Sequence, residues 1–101
     1  MSVGIIIEHH VSSGARDLVR AVWEEHLRPA ITANDGHEAY AYMYDIDDPD
    51  VIRAFQQYTD GAAASEFLTT PEYLAYVAAV EHLLVGPPLI TRTEVLWTKG
   101  Q

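Results

Sequence analysis

The chain has 101 residues, 49% of them hydrophobic, and a formal net charge of −9 from 15 acidic and 6 basic side chains. That length suits one domain with one core, 1–101, and the apolar fraction is too high for disorder. The absence of cysteine excludes disulfides, thiolate nucleophiles and Cys-ligated metal centres. No basic cluster is present to track a nucleic-acid backbone or an anionic membrane surface.

Val3 to Val11 reads as the first strand, hydrophobic at first and then carrying Glu8, His9 and His10. No basic residue precedes it, so it is not expected to be a secretory signal. No apolar run approaches the ~20 residues of a membrane span, and a cysteine-free chain fits a reducing cytoplasm. Ser12-Ser13-Gly14 breaks the strand, and either serine can cap the helix expected over about 14–32. Leu18, Val19, Val22, Trp23, His26, Leu27 and Ala30 recur at offsets of three and four, which predicts one apolar stripe. Pro29 should kink or end its last turn.

Asn34-Asp35-Gly36 signals a turn, and His37 to Ile46 a second strand. Strict alternation puts Tyr40, Tyr42 and Tyr44 on one face, and His37, Ala39, Ala41 and Met43 on the other. After the acidic turn Asp47-Asp48-Pro49-Asp50 comes a third strand, Val51 to Tyr58. Thr59 or Asp60 should cap a short Ala-rich helix ending near Leu68. Thr70, with Pro71 in the favoured first position, opens a helix to about Leu84. Gly86-Pro87-Pro88 stops it, and Leu89 to Thr98 forms the last strand. The order β-α-β-β-α-β predicts a ferredoxin-like α+β fold, a four-stranded antiparallel sheet with helices on one face. Left exposed, the stripe of Tyr40, Tyr42 and Tyr44 would be a large aromatic patch. Packing against a second copy would bury it, so a homodimer is expected.

Gly36-His37-Glu38-Ala39-Tyr40 opening the second strand, Asp48-Pro49 before the third, and Gln56-Gln57-Tyr58-Thr59-Asp60 leading to Thr70-Pro71 resemble the antibiotic-biosynthesis (quinol-type) monooxygenase family. The resemblance covers nearly the whole chain and implies the dimeric α+β barrel. It also implies oxidation of a phenolic, quinol or polyketide-like aromatic molecule by oxygen without metal, flavin or other cofactor. Gln56 and Tyr58 stand where the family often has Glu-x-Trp. Phe67 and Glu72 stand where it often has histidines. The Asn, Trp and His set of its haem-degrading relatives has no counterpart here.

Chemistry without a cofactor needs an apolar pocket with a few polar groups that hold and stabilise a substrate anion. Three residues are the catalytic candidates. His26 beside Trp23 would be kept neutral by burial and act as base. Tyr58 could bond a substrate oxygen, and Arg92 could stabilise an anion, although Glu94 on its face invites an ion pair instead. His9 and His10 point to opposite faces, so they cannot chelate one metal together, and whichever faces the helices could deprotonate a phenol. His9, Trp23, Phe67, Tyr73 and Tyr76 are the substrate-binding candidates, each with core packing as its alternative. No metal site is expected. A non-oxidative cyclase, isomerase or decarboxylase and a non-catalytic binding dimer remain open. A cavity beside His26, Tyr58 and Tyr73 would argue against the last of these.

Overall fold

A computed structural model describes residues 1–100. The β-rich start of the chain forms β1 (Val3–His10), followed by α1 (Arg16–His26), α2 (Arg28–Ala33), β2 (His37–Tyr44) and β3 (Val51–Tyr58). The second half supplies α3 (Gly61–Phe67), α4 (Pro71–Val80) and β4 (Leu89–Glu94), with a 3₁₀ turn at Glu81–Leu83. All strand pairs are antiparallel, in the order β2-β3-β1-β4. This is the expected ferredoxin-like arrangement. β1 and β3 are central, and Val51, Ile52, Ala54 and Tyr58 of β3 are buried.

The core lies between the sheet and the helices: Val19, Trp23 and Leu27 from the first helical segments, Ile52 and Tyr58 from β3, and Phe67, Tyr76 and Val80 beyond it. Burying one such side chain is worth about 1.5–3 kcal/mol. The two helices of the second half start as their sequences dictate. Asp60 accepts from the Ala63 N–H at 2.8 Å and Thr70 from the Tyr73 N–H at 3.3 Å, each satisfying a donor with no intrahelical partner.

Several expectations about local structure need correction. The single helix over about 14–32 is two, broken at Leu27, because Pro29 has no N–H to continue the hydrogen-bond ladder. Neither Ser12 nor Ser13 caps α1 with its side chain; the Ser12 carbonyl instead accepts from the Ala15 N–H at 2.9 Å. Leu18 is exposed and leaves the buried stripe to Val19, Trp23 and Leu27. The last strand ends at Glu94 rather than Thr98, and α4 at Val80 rather than near Leu84.

The most consequential correction concerns β2. A register shift between His37 and Ala39 inserts one extra residue, so His37 pairs with Tyr58 and Tyr40 with Gln56. Such a bulge breaks strict alternation. His37, Tyr40 and Tyr42 therefore all face the helices. Tyr42 packs on Trp23 with ring centroids 4.2 Å apart, and His37 on Phe67 at 4.6 Å. The tyrosine stripe is thus covered within the protomer. The open face instead carries Ile6, Phe55, Ala41, Met43 and Leu89, beside the ion pair of Arg53 with Glu8 at 2.8 Å.

Candidate active site

Between sheet and helices lies a cavity of about 510 Å³. β1 contributes Ile7 and His9, β2 contributes Tyr40 and Tyr42, and β3 contributes Ile52, Ala54 and Gln56. Phe67 ends α3 at one side, and Tyr73, Tyr76, Val77 and Val80 of α4 form the roof. Glu81, Leu84, Gly86-Pro87-Pro88 and Ile90 border the remainder. On a strand only every second residue can point inward, and Ile52 and Tyr58, which join the core under the helices, fix the inward set of β3. The small Ala54 between them leaves the space unfilled. The volume matches that of small-molecule sites.

The polar groups of this wall are few. His9 lies on the inner face, burial pushes its imidazolium below the ordinary value, and its Nδ1 is buried with no hydrogen-bond partner. The Tyr42 hydroxyl is likewise buried without a partner. The Tyr40 oxygen accepts from the Trp23 indole N–H at 3.2 Å, which leaves its own O–H free to donate. Burial raises the Tyr40 phenol to about 12, against the opposing effect of the Trp23 bond. Burial also pushes Tyr42, Tyr73 and Tyr76 upward. All four are therefore neutral donors near pH 7, beside a neutral imidazole.

Behind the wall runs a hydrogen-bonded chain. Tyr58, buried, donates its O–H to Gln56 Oε1 at 2.6 Å, and His37 Nε2 lies 3.0 Å from the same oxygen. An amide oxygen only accepts, so His37 carries its proton on Nε2. His37 Nδ1 is then an acceptor, and Asn34 Nδ2 donates to it at 2.8 Å. Burial, partly offset by the Gln56 bond, lowers the His37 pKa and keeps this neutral tautomer in place.

The sequence candidates divide accordingly. His9, Phe67, Tyr73 and Tyr76 line the cavity together. Trp23 stands one layer back and holds Tyr40, while Tyr58 stands one layer back and holds Gln56. His26 is not where the helical stripe puts it: its side chain is 36% exposed and 4.0 Å from Glu25. It sits on the flank of the stripe that buries Val19, Trp23 and Leu27, and it does not line the cavity. Arg92 is exposed at the sheet edge opposite Ile5, outside the cavity wall. Among the described residues it makes no ion pair with Glu94. Of the two adjacent histidines, His10 faces outward and bonds Glu8 at 2.8 Å. Tyr40, Tyr42, Gln56 and His37 were not anticipated as site residues. Alternation does not tell which face of β2 is covered, and the bulge that places His37 has no signature in composition or spacing. Among the described residues, no three His, Cys, Asp or Glu side chains converge to hold a metal ion.

The family model described as antibiotic biosynthesis monooxygenase matches residues 2–79. No curated protein matches the chain. Among solved structures, Rv0793 from Mycobacterium tuberculosis is 28% identical with a TM-score of 0.84, over 99% of this chain and 100% of that one. A variant of SnoaB, described as a cofactor-independent oxygenase from Streptomyces nogalater, is 17% identical with a TM-score of 0.83, over 99% and 98% of the two chains. A Nitrosomonas europaea protein of unknown function, NE2512, is 21% identical with a TM-score of 0.83, over 97% and 92%. The last two likenesses establish the fold alone.

Proposed function

The chain belongs to the antibiotic biosynthesis monooxygenase family, and from that premise we propose that it oxygenates a small phenolic, quinol or anthrone-like molecule held in the cavity, without a cofactor. One observation carries this reading: an apolar cavity of about 510 Å³ with the neutral, unpartnered imidazole of His9 in its wall. His9 takes a proton from the activated substrate and leaves an electron-rich anion. The tyrosine hydroxyls, preorganised and shielded from water, donate to the anionic oxygen. The anion reduces dioxygen and a C–O bond forms. The resulting hydroperoxide loses water, so that an activated CH₂ and O₂ become C=O and H₂O. Glu81 is the one charged side chain in the wall, and no Lys or Arg joins it. This favours a substrate without a carboxylate of its own.

Oxygen uptake over a panel of quinols and anthrones, with no added metal or flavin, tests the proposal. Uptake should exceed the buffer rate in the wild type and vanish in Val77→Trp, whose ring blocks the half-exposed edge of the cavity at α4. A wild-type rate equal to buffer across the panel sinks it.

The site belongs, in this reading, to a homodimeric, cytoplasmic protein whose single domain spans 1–101. The open sheet face with Ile6, Met43 and Leu89 supports a second copy there, as do the exposed Leu96 and Trp97 beyond β4. Light scattering after size exclusion should give twice the chain mass at micromolar concentration, and a monomer overturns the dimer. Among the described residues no helix is long and apolar enough to cross a membrane.

A further inference from the structure

We propose that the Gln56 side-chain amide donates the hydrogen bond that stabilises the anionic oxygen of the occupant, and that His37 and Tyr58 are positioning residues that aim it. The inference rests on the cavity being the binding site for an ionisable phenol.

The argument starts from the amide. Gln56 is 5% exposed, yet it lines the cavity. Both of its observed bonds, from Tyr58 Oη at 2.6 Å and His37 Nε2 at 3.0 Å, end on Oε1. The orientation is anchored from the turn. The Gly36 N–H donates to Asn34 Oδ1 at 3.4 Å, so Asn34 Nδ2 donates to His37 Nδ1. His37 then carries its proton on Nε2, and Gln56 turns Oε1 toward it. The two N–H bonds of Nε2 then have no partner among the described residues, and they are left to the cavity. Nε2 is not among the buried polar atoms that lack a partner, so it is reachable, and an anionic oxygen in the cavity is the acceptor that suits it best.

The chain behind Gln56 contributes more than a fixed orientation. His37 is held in its Nε2–H form by Asn34, and its ring is tilted against Tyr58 at 4.3 Å and edge-on to Phe67 at 4.6 Å. Two donors on one carbonyl oxygen polarise the amide and strengthen its N–H groups as donors. The β2 bulge brings His37 to the inner face at all. The groups facing His37 are Asn34 from the preceding turn, Gln56 and Tyr58 from β3, Phe67 from α3 and Tyr40 from its own strand. None of them carries a charge near neutral pH, so nothing there competes for the proton that the relay requires.

The test uses 4-nitrophenol, whose colour reports its ionised fraction and which requires no oxygen chemistry. Each protein is titrated with the probe, and the phenolate-to-phenol ratio of the bound probe is read at fixed pH. Gln56→Met, similar in shape but without a donor, should lower that ratio roughly tenfold or more, the effect expected of a lost charge-assisted bond. Gln56→Glu still accepts from Tyr58 and His37, so the fold is kept while the donor is replaced by a negative charge. Its ratio should fall at least as far. His37→Phe and Tyr58→Phe, each leaving one donor on Oε1, should give smaller falls in the same direction. A merely structural role would change the affinity for both forms and leave the ratio alone. An unchanged ratio in both Gln56→Met and Gln56→Glu, with the probe still bound, overturns this inference and leaves the cavity reading standing. A probe that fails to bind the wild type, or binds Val77→Trp equally well, overturns both.

Discussion

His9→Phe should lower kcat/KM for oxygen uptake by about 10²–10⁴-fold, the range of a lost general base, and should leave the protein as stable as the wild type or more so. The two halves of this expectation have one cause. His9 is largely buried and its Nδ1 has no partner, an arrangement that costs about 1–3 kcal/mol in an apolar site. Phenylalanine fills similar space without that cost. A residue whose replacement stabilises the fold while removing activity is one kept for function. Steady-state oxygen uptake and urea unfolding of the same two proteins read both effects. Loss of activity together with loss of stability would make His9 a core residue.

The same burial sets a pH signature. Because burial holds the folded-state pKa of His9 below the ordinary histidine value of 6.5, the base form persists below pH 6.5, and activity falls only as pH drops through the depressed value. For stability the sign follows from proton uptake: below about 6.5 the unfolded chain binds the proton and the folded chain does not. Stability therefore declines as pH falls from about 6.5 to the depressed value, then levels off. His9→Phe should remove this component of the slope, as seen in urea midpoints taken across that window.

Trp23→Ala should cost about 3–5 kcal/mol, the range for truncating a buried aromatic. Trp23 is 8% exposed, lies 4.2 Å from the Tyr42 ring and donates to the Tyr40 oxygen. Its loss opens the first helical layer above β2 and frees Tyr40 at once. Against a typical total of about 5–15 kcal/mol, this leaves a marginal fold, visible as a large drop in the urea midpoint. Trp23→Phe should recover most of the packing but not the Tyr40 bond. A shift of under 1 kcal/mol for Trp23→Ala would contradict the packing described.

The sequence carried the architecture because the signals for it are local. The β-branched start of the chain, the Asp60 and Thr70 caps, Pro71 at a first helical position and the Pro29 break each act within a few residues. The site was legible in part: His9, Phe67, Tyr73 and Tyr76 lie around one cavity, and Trp23 and Tyr58 each brace a residue of its wall. His26 shares the apolar stripe by spacing but lies at its flank, and periodicity does not tell which edge of a stripe is covered. The place of Tyr40 and Tyr42 in the wall was not legible, because alternation tells which residues share a face but not which face is covered. His37 depends on a one-residue bulge, and a bulge is settled by tertiary packing. Gln56 stood out in sequence only as a departure from the family pattern. Its role follows from which of its two amide ends is occupied, and only coordinates give that.

The central claim is that the cavity holds an activated aromatic molecule and that dioxygen supplies the new oxygen atom. The most direct measurement is mass spectrometry of the product formed from 1,8-dihydroxyanthrone under ¹⁸O₂, with metal-free protein and no flavin. The account predicts one ¹⁸O atom in the quinone product, formed at a rate that collapses in both His9→Phe and Val77→Trp. A product without the label, or labelled product formed equally fast by those two variants, would contradict it.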